Sequence, residues 1–214
     1  QDLTRTIRTL GVYSELHPYK LSATKLKEMN PSGITLFGDD YKDLESRLKD
    51  FDKDVLNLRI PILAINAGMQ LLINEAGGTI ADQGKNNLEQ AVIHVQPDAG
   101  LLADTPKEQS VLLRGEHALT TAPDSYQVNA TDQEGNIVAI SNDTAKKYGL
   151  MFHPEADETE HGETILTNFL RDVCGCACTW SMETFKEVQM KEIRETVGNE
   201  NVLLALSGGV DSSV

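Results

Sequence analysis

Three short stretches carry residues whose types and spacing could do chemistry. Ser207-Gly208-Gly209-Val210-Asp211-Ser212-Ser213 follows directly on the apolar run Val202–Leu206. A strand feeding glycines and then a helix start turns successive backbone N–H groups into one concavity. The helix N-terminus adds partial positive charge and the serine hydroxyls add donors. Such a loop cradles an anion the size of pyrophosphate. It is not a Walker loop, because no Gly-Lys-Ser/Thr follows. Pro61-Ile62-Leu63-Ala64-Ile65-Asn66-Ala67-Gly68-Met69-Gln70 takes an apolar strand into a helix through one tight corner, with Asn66 at its apex. Hydrolases mount a nucleophile at such corners. The third stretch, Gly149-Leu150-Met151-Phe152-His153-Pro154-Glu155, ends a strand on a His and a Glu two residues apart. That is a base with its orienter, or simply a hydrogen-bonded pair closing a loop.

The elements that must position these residues are legible in part. "GVYSELHPY" (11–19) and "SGITLFG" (32–38) are expected strands. "LSATKLKEMNP" is an amphipathic helix with Ser22 as N-cap and Pro31 just beyond its end. Residues 40–60 predict one charged surface helix with Leu44, Leu48, Phe51 and Val55 on a single face, its "DFDKD" acids solvated. Strand 61–65 and a helix over 68–76 follow, the helix closed by Gly77-Gly78. Short alternating runs at 89–97, 110–115, 125–132 and 136–143 then predict antiparallel strands. "KYGLMF" returns to the core, and "HGETILTNFLRDV" is a helix. From Cys174 the chain reads as a link, with a charged helix capped by Ser181 and stopped at Gly198. The domains expected are 1–173, a linker at 174–200, and 201–214 as the start of another domain. That last strand lacks partners and is expected to be irregular from about Asn201.

Composition narrows the function. Lys and Arg number 19 against 33 Asp and Glu, a formal charge of −14. No broad basic face for nucleic acid or acidic membrane is expected, and no apolar run spans a bilayer. The cytoplasm is the default compartment. Cys174, Cys176 and Cys178 are odd in number and clustered, so reduced structural thiols are expected rather than disulfides, and no metal site. His17, His94, His117 and His161 have no partners at ligand spacing and are assigned to surface and loops.

The Ser-Gly-Gly-x-Asp-Ser loop resembles the pyrophosphate loop of the N-type ATP pyrophosphatases. Asn66's corner resembles the nucleophile elbow of the class I glutamine amidotransferases, usually Gly-x-Cys-x-Gly-x-Gln, and "GLMFHPE" resembles the strand end carrying their His and Glu. A glutaminase of that class ahead of this loop, with "NFLRDVCGCACTW" between, is similar to the GMP synthetases, as is "IRTLGVYSEL" near the start. The resemblance covers essentially the whole chain. It implies an α/β fold: a three-layer, mostly parallel sheet of the class I amidotransferase type with its first strand missing, then the first strand and phosphate loop of an adenine-nucleotide α-hydrolase-like domain. NAD synthetases share the loop but carry another kind of glutaminase.

The resemblance also implies roles. Asn66 stands where the family's Cys attacks glutamine, His153 is its base and Glu155 the orienter, and Gly68 and Gln70 belong to substrate binding. Ser207, Gly208, Gly209, Asp211 and Ser212 would hold ATP. The full-length enzyme would make GMP from XMP, ATP with Mg²⁺, and glutamine or ammonia, and could form a homodimer through the absent C-terminal part. Here the pattern departs in three loops. A carboxamide has no thiolate-like state, so Asn66 cannot form a thioester. Leu36-Phe37-Gly38-Asp39-Asp40 replaces a glycine-rich oxyanion loop. A carboxylate about 6 Å from a developing oxyanion costs roughly 3 kcal/mol at an effective dielectric near 20. Arg114-Gly115-Glu116-His117 replaces a substrate-contacting Ser-His-Gly-Asp. A glutaminase without its chemistry is therefore expected, or else a non-catalytic regulatory or docking module for a synthetase partner.

Overall fold

A computed structural model describes residues 2–38, 49–82, 88–97, 99–114 and 117–200. The chain divides into two compact units, 1–179 and 180–214. In the first, a seven-stranded sheet is built from β1 (Ile34–Gly38), β2 (Ile62–Asn66), β4 (Leu88–Val95), β5 (Glu108–Arg114), β7 (Gln127–Asp132), β8 (Ile137–Asn142) and β9 (Lys147–Leu150). Their order is β1-β2-β9-β8-β7-β4-β5. β3 (Ala81–Asp82) and β6 (His117–Ala118) form a small antiparallel pair of their own. The sheet is mixed. β1, β2 and β9 run parallel, while every pairing from β9 outward to β5 is antiparallel. The expectation of a mostly parallel sheet holds only for the half that carries the corner, whereas the expected antiparallel strands form the other half.

β2 lies between two parallel neighbours, and all five of its residues are buried. A strand covered on both faces reads as an unbroken apolar run, which is why Ile62–Ile65 show no alternation. Helix α3 (Ala67–Glu75) packs back over β1, β2 and β9. Ile62, Leu63, Ile65, Met69, Leu72, Ile73, Phe152 and Phe169 are fully buried or nearly so and form the middle of the core. Helix α1 (Asp2–Thr9) adds Leu3 and Ile7 to the same core. Helix α2 (Ala23–Met29) starts as expected at Ser22, whose hydroxyl accepts from Lys25 N, and ends at Asn30 in the left-handed region.

Two local expectations fail for tertiary reasons. Residues 11–19 form no strand. They follow α1 as an irregular segment, with both the Nε and Nη2 of Arg8 donating to the Ser14 carbonyl and no ladder partner among the described residues. The helix expected through Val55 does not reach it. Its first part lies outside the described residues; residues 49–50 are helical, and Val55 belongs instead to a separate 3₁₀ turn, Lys53–Asn57. Asp52 makes the break. Its carboxylate accepts from Asp54 N (3.1 Å) as a cap and from Ala23 N (2.8 Å), tying the turn to the start of α2. That acid is structural, not merely solvated.

Helix α4 (Gly162–Thr167) continues into a π-helical turn, Asn168–Val173, in which Cys174 N donates back to Phe169 O. The turn presents Phe169 edge-on to Tyr148 at 6.2 Å between ring centres. The three cysteines follow as free thiols, all partly buried. Burial, reinforced by Cys176 nearby, pushes the Cys174 thiol up to about 12. Each unit is a factor of ten in thiolate, so near pH 8 Cys174 holds roughly a thousandfold less thiolate than a free cysteine. Iodoacetamide mapping of the folded chain is expected to leave Cys174 unlabelled long after a free thiol has reacted, and to label it at once in urea. Rapid labelling in the folded state would contradict this placement.

In the second unit, helix α5 (Met182–Val197) opens with a reciprocal cap. Ser181 Oγ accepts from Thr184 N, and Thr184 Oγ1 accepts from Ser181 N. No residue of the helix is buried. No helix among the described residues is long and apolar enough to cross a membrane.

Candidate active site

The corner between β2 and α3 is a strained one. Asn66 ends β2, stands at the N-cap of α3 and has φ 52° and ψ −112°. An L residue in such backbone costs of order 1–3 kcal/mol, and the cost persists only where the surroundings enforce it. Here they do. Gly38, the last residue of β1, is in register beside Asn66, and α3 comes so close to β1 that a Cβ on Gly68 would lie 2.0 Å from Leu36 O. The approach holds the first turn of the helix, with its unpaired N–H groups, immediately after the apex.

The opposite wall comes from the end of β9. Leu113 of β5 bridges to Phe152, and His153 N donates to Leu112 O (3.0 Å), so β5 fixes the backbone that carries the imidazole. Thr159 completes the support. Its hydroxyl donates to the His153 carbonyl (2.6 Å) and accepts from Leu112 N (3.0 Å). Gly162 stands where a Cβ would meet Pro154 O at 2.0 Å, which packs the start of α4 against the same loop. Nothing in the sequence marked Thr159. A Ser or Thr six residues after a candidate base is too common to single out, and its partner in β5 is 47 residues away.

The side chains then meet. Asn66 Nδ2 donates to His153 Nε2 at 2.9 Å, and His153 Nδ1 donates to Glu155 Oε1 at 3.0 Å. A carboxamide nitrogen can only donate, so Nε2 is an acceptor and the ring proton sits on Nδ1, held by the carboxylate. Asn66 is fully buried and His153 nearly so. The three residues thus form one hydrogen-bonded chain from corner to carboxylate, with a carboxamide at the corner. Asn66 Oδ1, Gln70 Oε1 and Glu155 Oε2 are buried acceptors with no hydrogen-bond donor among the described residues. An acceptor left so costs free energy until a donor arrives. Gln70 stands four residues after the apex, on the next turn of α3.

Other expected site residues fall differently. Arg114 ends β5, while Asp39, Asp40, Gly115, Glu116 and the side chain of His117 lie outside the described residues. So does the whole phosphate loop with Ser207, Gly208, Gly209, Asp211 and Ser212, and with it the expectation for the tail beyond Asn201. No three His, Cys, Asp or Glu side chains among the described residues are grouped to hold a metal, so the Mg²⁺ that the resemblance implies has no holder there.

Residues 1–173 match the family model for glutamine amidotransferase class-I, and the chain belongs to that family. It is 43% identical over all 214 residues to a GMP synthase [glutamine-hydrolyzing] of Oceanobacillus iheyensis and 41% identical to one of Bacillus cereus, in each case over 42% of the relative's length. The chain therefore spans about two fifths of these curated relatives. Among solved structures, a putative GMP synthase subunit from Thermoplasma acidophilum superposes with TM-score 0.75 at 21% identity, covering 89% of this chain and 91% of that one. A glutamine amidotransferase from Thermotoga maritima gives 0.52 at 16% identity, covering 86% and 76%. At those identities the two structures speak for the fold alone.

Proposed function

We propose that this chain is the amidotransferase part of a GMP synthetase-type enzyme and has lost the hydrolysis of glutamine. The observation that carries the reading is the 2.9 Å bond from Asn66 Nδ2 to His153 Nε2. In an active elbow a thiol would give its proton to that nitrogen; here the position is filled by an amide that has no nucleophilic lone pair to offer. The longer cytoplasmic protein would adenylate XMP with ATP and Mg²⁺ through the loop at 207–213. It would take ammonia from solution or from another subunit, because the chemistry that releases it inside this domain is gone. Similarity to the two GMP synthases supports the substrate class.

Ammonia-dependent GMP formation by the longer protein, with glutamine giving no rate above background, is the expected result. Glutamate release from glutamine in step with GMP would refute the lost-glutaminase reading. Absence of GMP formation with either nitrogen source would refute the synthetase assignment.

A second reading is favoured by the buried acceptors Asn66 Oδ1 and Gln70 Oε1. They suit a ligand bearing N–H donors, such as glutamine itself, so the pocket would persist as a binding module that reports on glutamine to a synthetase partner. Calorimetric titration of the chain with glutamine distinguishes the two. Saturable binding without glutamate release supports the module, and no binding leaves the purely vestigial domain.

A further inference from the structure

The chain's only cysteines, Cys174, Cys176 and Cys178, follow the π-helical turn at alternate positions and are free thiols. Their surroundings separate them. Cys174 closes the turn with its sulfur against β1's lead-in, where a Cβ on Gly33 would meet Cys174 Sγ at 2.5 Å beside the Phe169 ring. Gly175, with φ 71°, then turns the backbone away, and Cys176 N donates back to Leu170 O. Beyond that turn Cys178 bends back on Cys176, its Sγ donating to the Cys176 carbonyl at 3.7 Å. Two residues apart, the Cα atoms of this pair lie within about 7 Å of each other, close to the span a disulfide bridges. Both residues are half-buried, so small reagents reach them. Cys178 itself stands in left-handed backbone, φ 52°, with Gly11 packed so closely that a Cβ there would overlap Cys178 O. That packing fixes the backbone from which the Cys178 sulfur reaches residue 176.

We propose that Cys176 and Cys178 are a reversible dithiol–disulfide pair, oxidised by small-molecule disulfides of the glutathione type. The Cys178 thiolate attacks one sulfur of oxidised glutathione, and one glutathione thiolate leaves. The Cys176 thiolate then attacks the Cys178 sulfur of the mixed disulfide. The internal S–S bond forms and the second glutathione thiolate leaves. Two electrons pass from the cysteines to the oxidant, and the two thiol protons pass through solvent to the departing glutathiones. Excess glutathione reverses both steps. Burial, and then the neighbouring Cys178 sulfur, push the Cys176 thiol up. Cys176 is therefore suited to the second attack, where tethering offsets a smaller thiolate fraction. Cys174 is left out, because its sulfur is packed on Gly33 and stays protonated near neutral pH. The pair would carry a reversible covalent record of thiol poise in a domain whose elbow holds no thiol. Nothing in this pairing depends on what the longer protein synthesises.

The test is incubation of the folded 214-residue chain with excess oxidised glutathione at mildly alkaline pH, beside the same chain in urea. Remaining thiols are blocked with N-ethylmaleimide in urea, disulfides are reduced, and the released thiols are alkylated with iodoacetamide before mass spectrometry. Expected from the folded chain is a species lighter by two hydrogens, at least about tenfold in excess over any glutathione adduct, because the second thiol is tethered. Cys174 is expected to carry the maleimide, and Cys176 and Cys178 the second label. Dithiothreitol should return all three to thiols. Cys176→Ser is expected to stop at a stable glutathione adduct on Cys178, and Cys174→Ser to form the same disulfide as the parent. In urea, Cys174–Cys176 and Cys176–Cys178 bonds are expected in comparable amounts. A parent chain that accumulates the glutathione adduct overturns the proposal, as does no oxidation, or a bond that includes Cys174 or a second chain. Equal selectivity in urea overturns it as well, since the fold would then select nothing. These readings of the parent chain decide the matter whether or not the variants fold.

Discussion

Asn66→Cys is expected to produce a thiol that reacts with haloacetamides and glutamine-like electrophiles faster than any of the three native cysteines, yet turns over glutamine slowly. The reactivity follows from what is already assembled. His153 Nε2 is an acceptor aimed at the side chain of residue 66, Nδ1 is held by Glu155, and the first turn of α3 stands behind the corner. A cysteine there would pass its proton to Nε2, with the resulting thiolate and imidazolium stabilised by the helix N-terminus and the carboxylate. The slow turnover follows from the neighbouring loop. Gly38 ends β1 in register with Asn66, and Asp39 and Asp40 are the residues that follow it in the sequence. A carboxylate opposing the oxyanion by roughly 3 kcal/mol lowers the rate roughly a hundredfold. Adding Asp39→Gly and Asp40→Gly to Asn66→Cys is therefore expected to raise glutaminase kcat about a hundredfold over Asn66→Cys alone. Equal rates in the two variants would show that the acids do not face the reacting carbonyl. A thiol at 66 no more reactive than free cysteine would show that the His153–Glu155 pair is not poised as a base.

The largest expected loss of stability comes from Gly68→Ala. Within a helix that change normally stabilises by about 1 kcal/mol. Here the new Cβ would lie 2.0 Å from Leu36 O and 2.6 Å from Leu36 C, both backbone atoms of β1. Neither side yields cheaply. Leu36 is paired with Ala64 in the β1–β2 ladder, and α3 cannot slide because it begins directly after the strained Asn66. Overpacking against backbone reverses the sign, for a net loss of roughly 2–4 kcal/mol. A lower urea midpoint at unchanged slope is the expected readout. Displacement of the elbow should also move the ¹⁵N shift of His153 Nε2, since its partner sits at the same corner. An alanine variant as stable as the parent would mean that β1 and α3 do not approach as described.

Several elements were legible because a few adjacent residues determine them. Ser22 and Pro31 bracketed α2, and Ser181 with Gly198 bracketed α5, since caps satisfy backbone groups within a turn. The corner at Asn66 was legible for the same reason, as an apolar strand meeting a helix with small residues on either side. Other features depend on partners far along the chain. Residues 11–19 read as a strand but have no ladder partner among the described residues. Asp52 reads as one acid among several until Ala23 N, 29 residues away, donates to it. Thr159 acquires its role only from Leu112.

What the sequence alone determined is chemical: a carboxamide stands at the apex and a His–Glu pair ends a strand, so Asn66 itself can form no thioester. The tertiary structure decided how those groups meet, because hydrogen bonds join atoms rather than positions in a chain. It brought Asn66 Nδ2 within 2.9 Å of an imidazole 87 residues away and fixed the proton on the far side of that ring. It also decided the sense of ψ at Asn66, since only the packing of α3 on β1 holds an L residue in backbone it would otherwise leave.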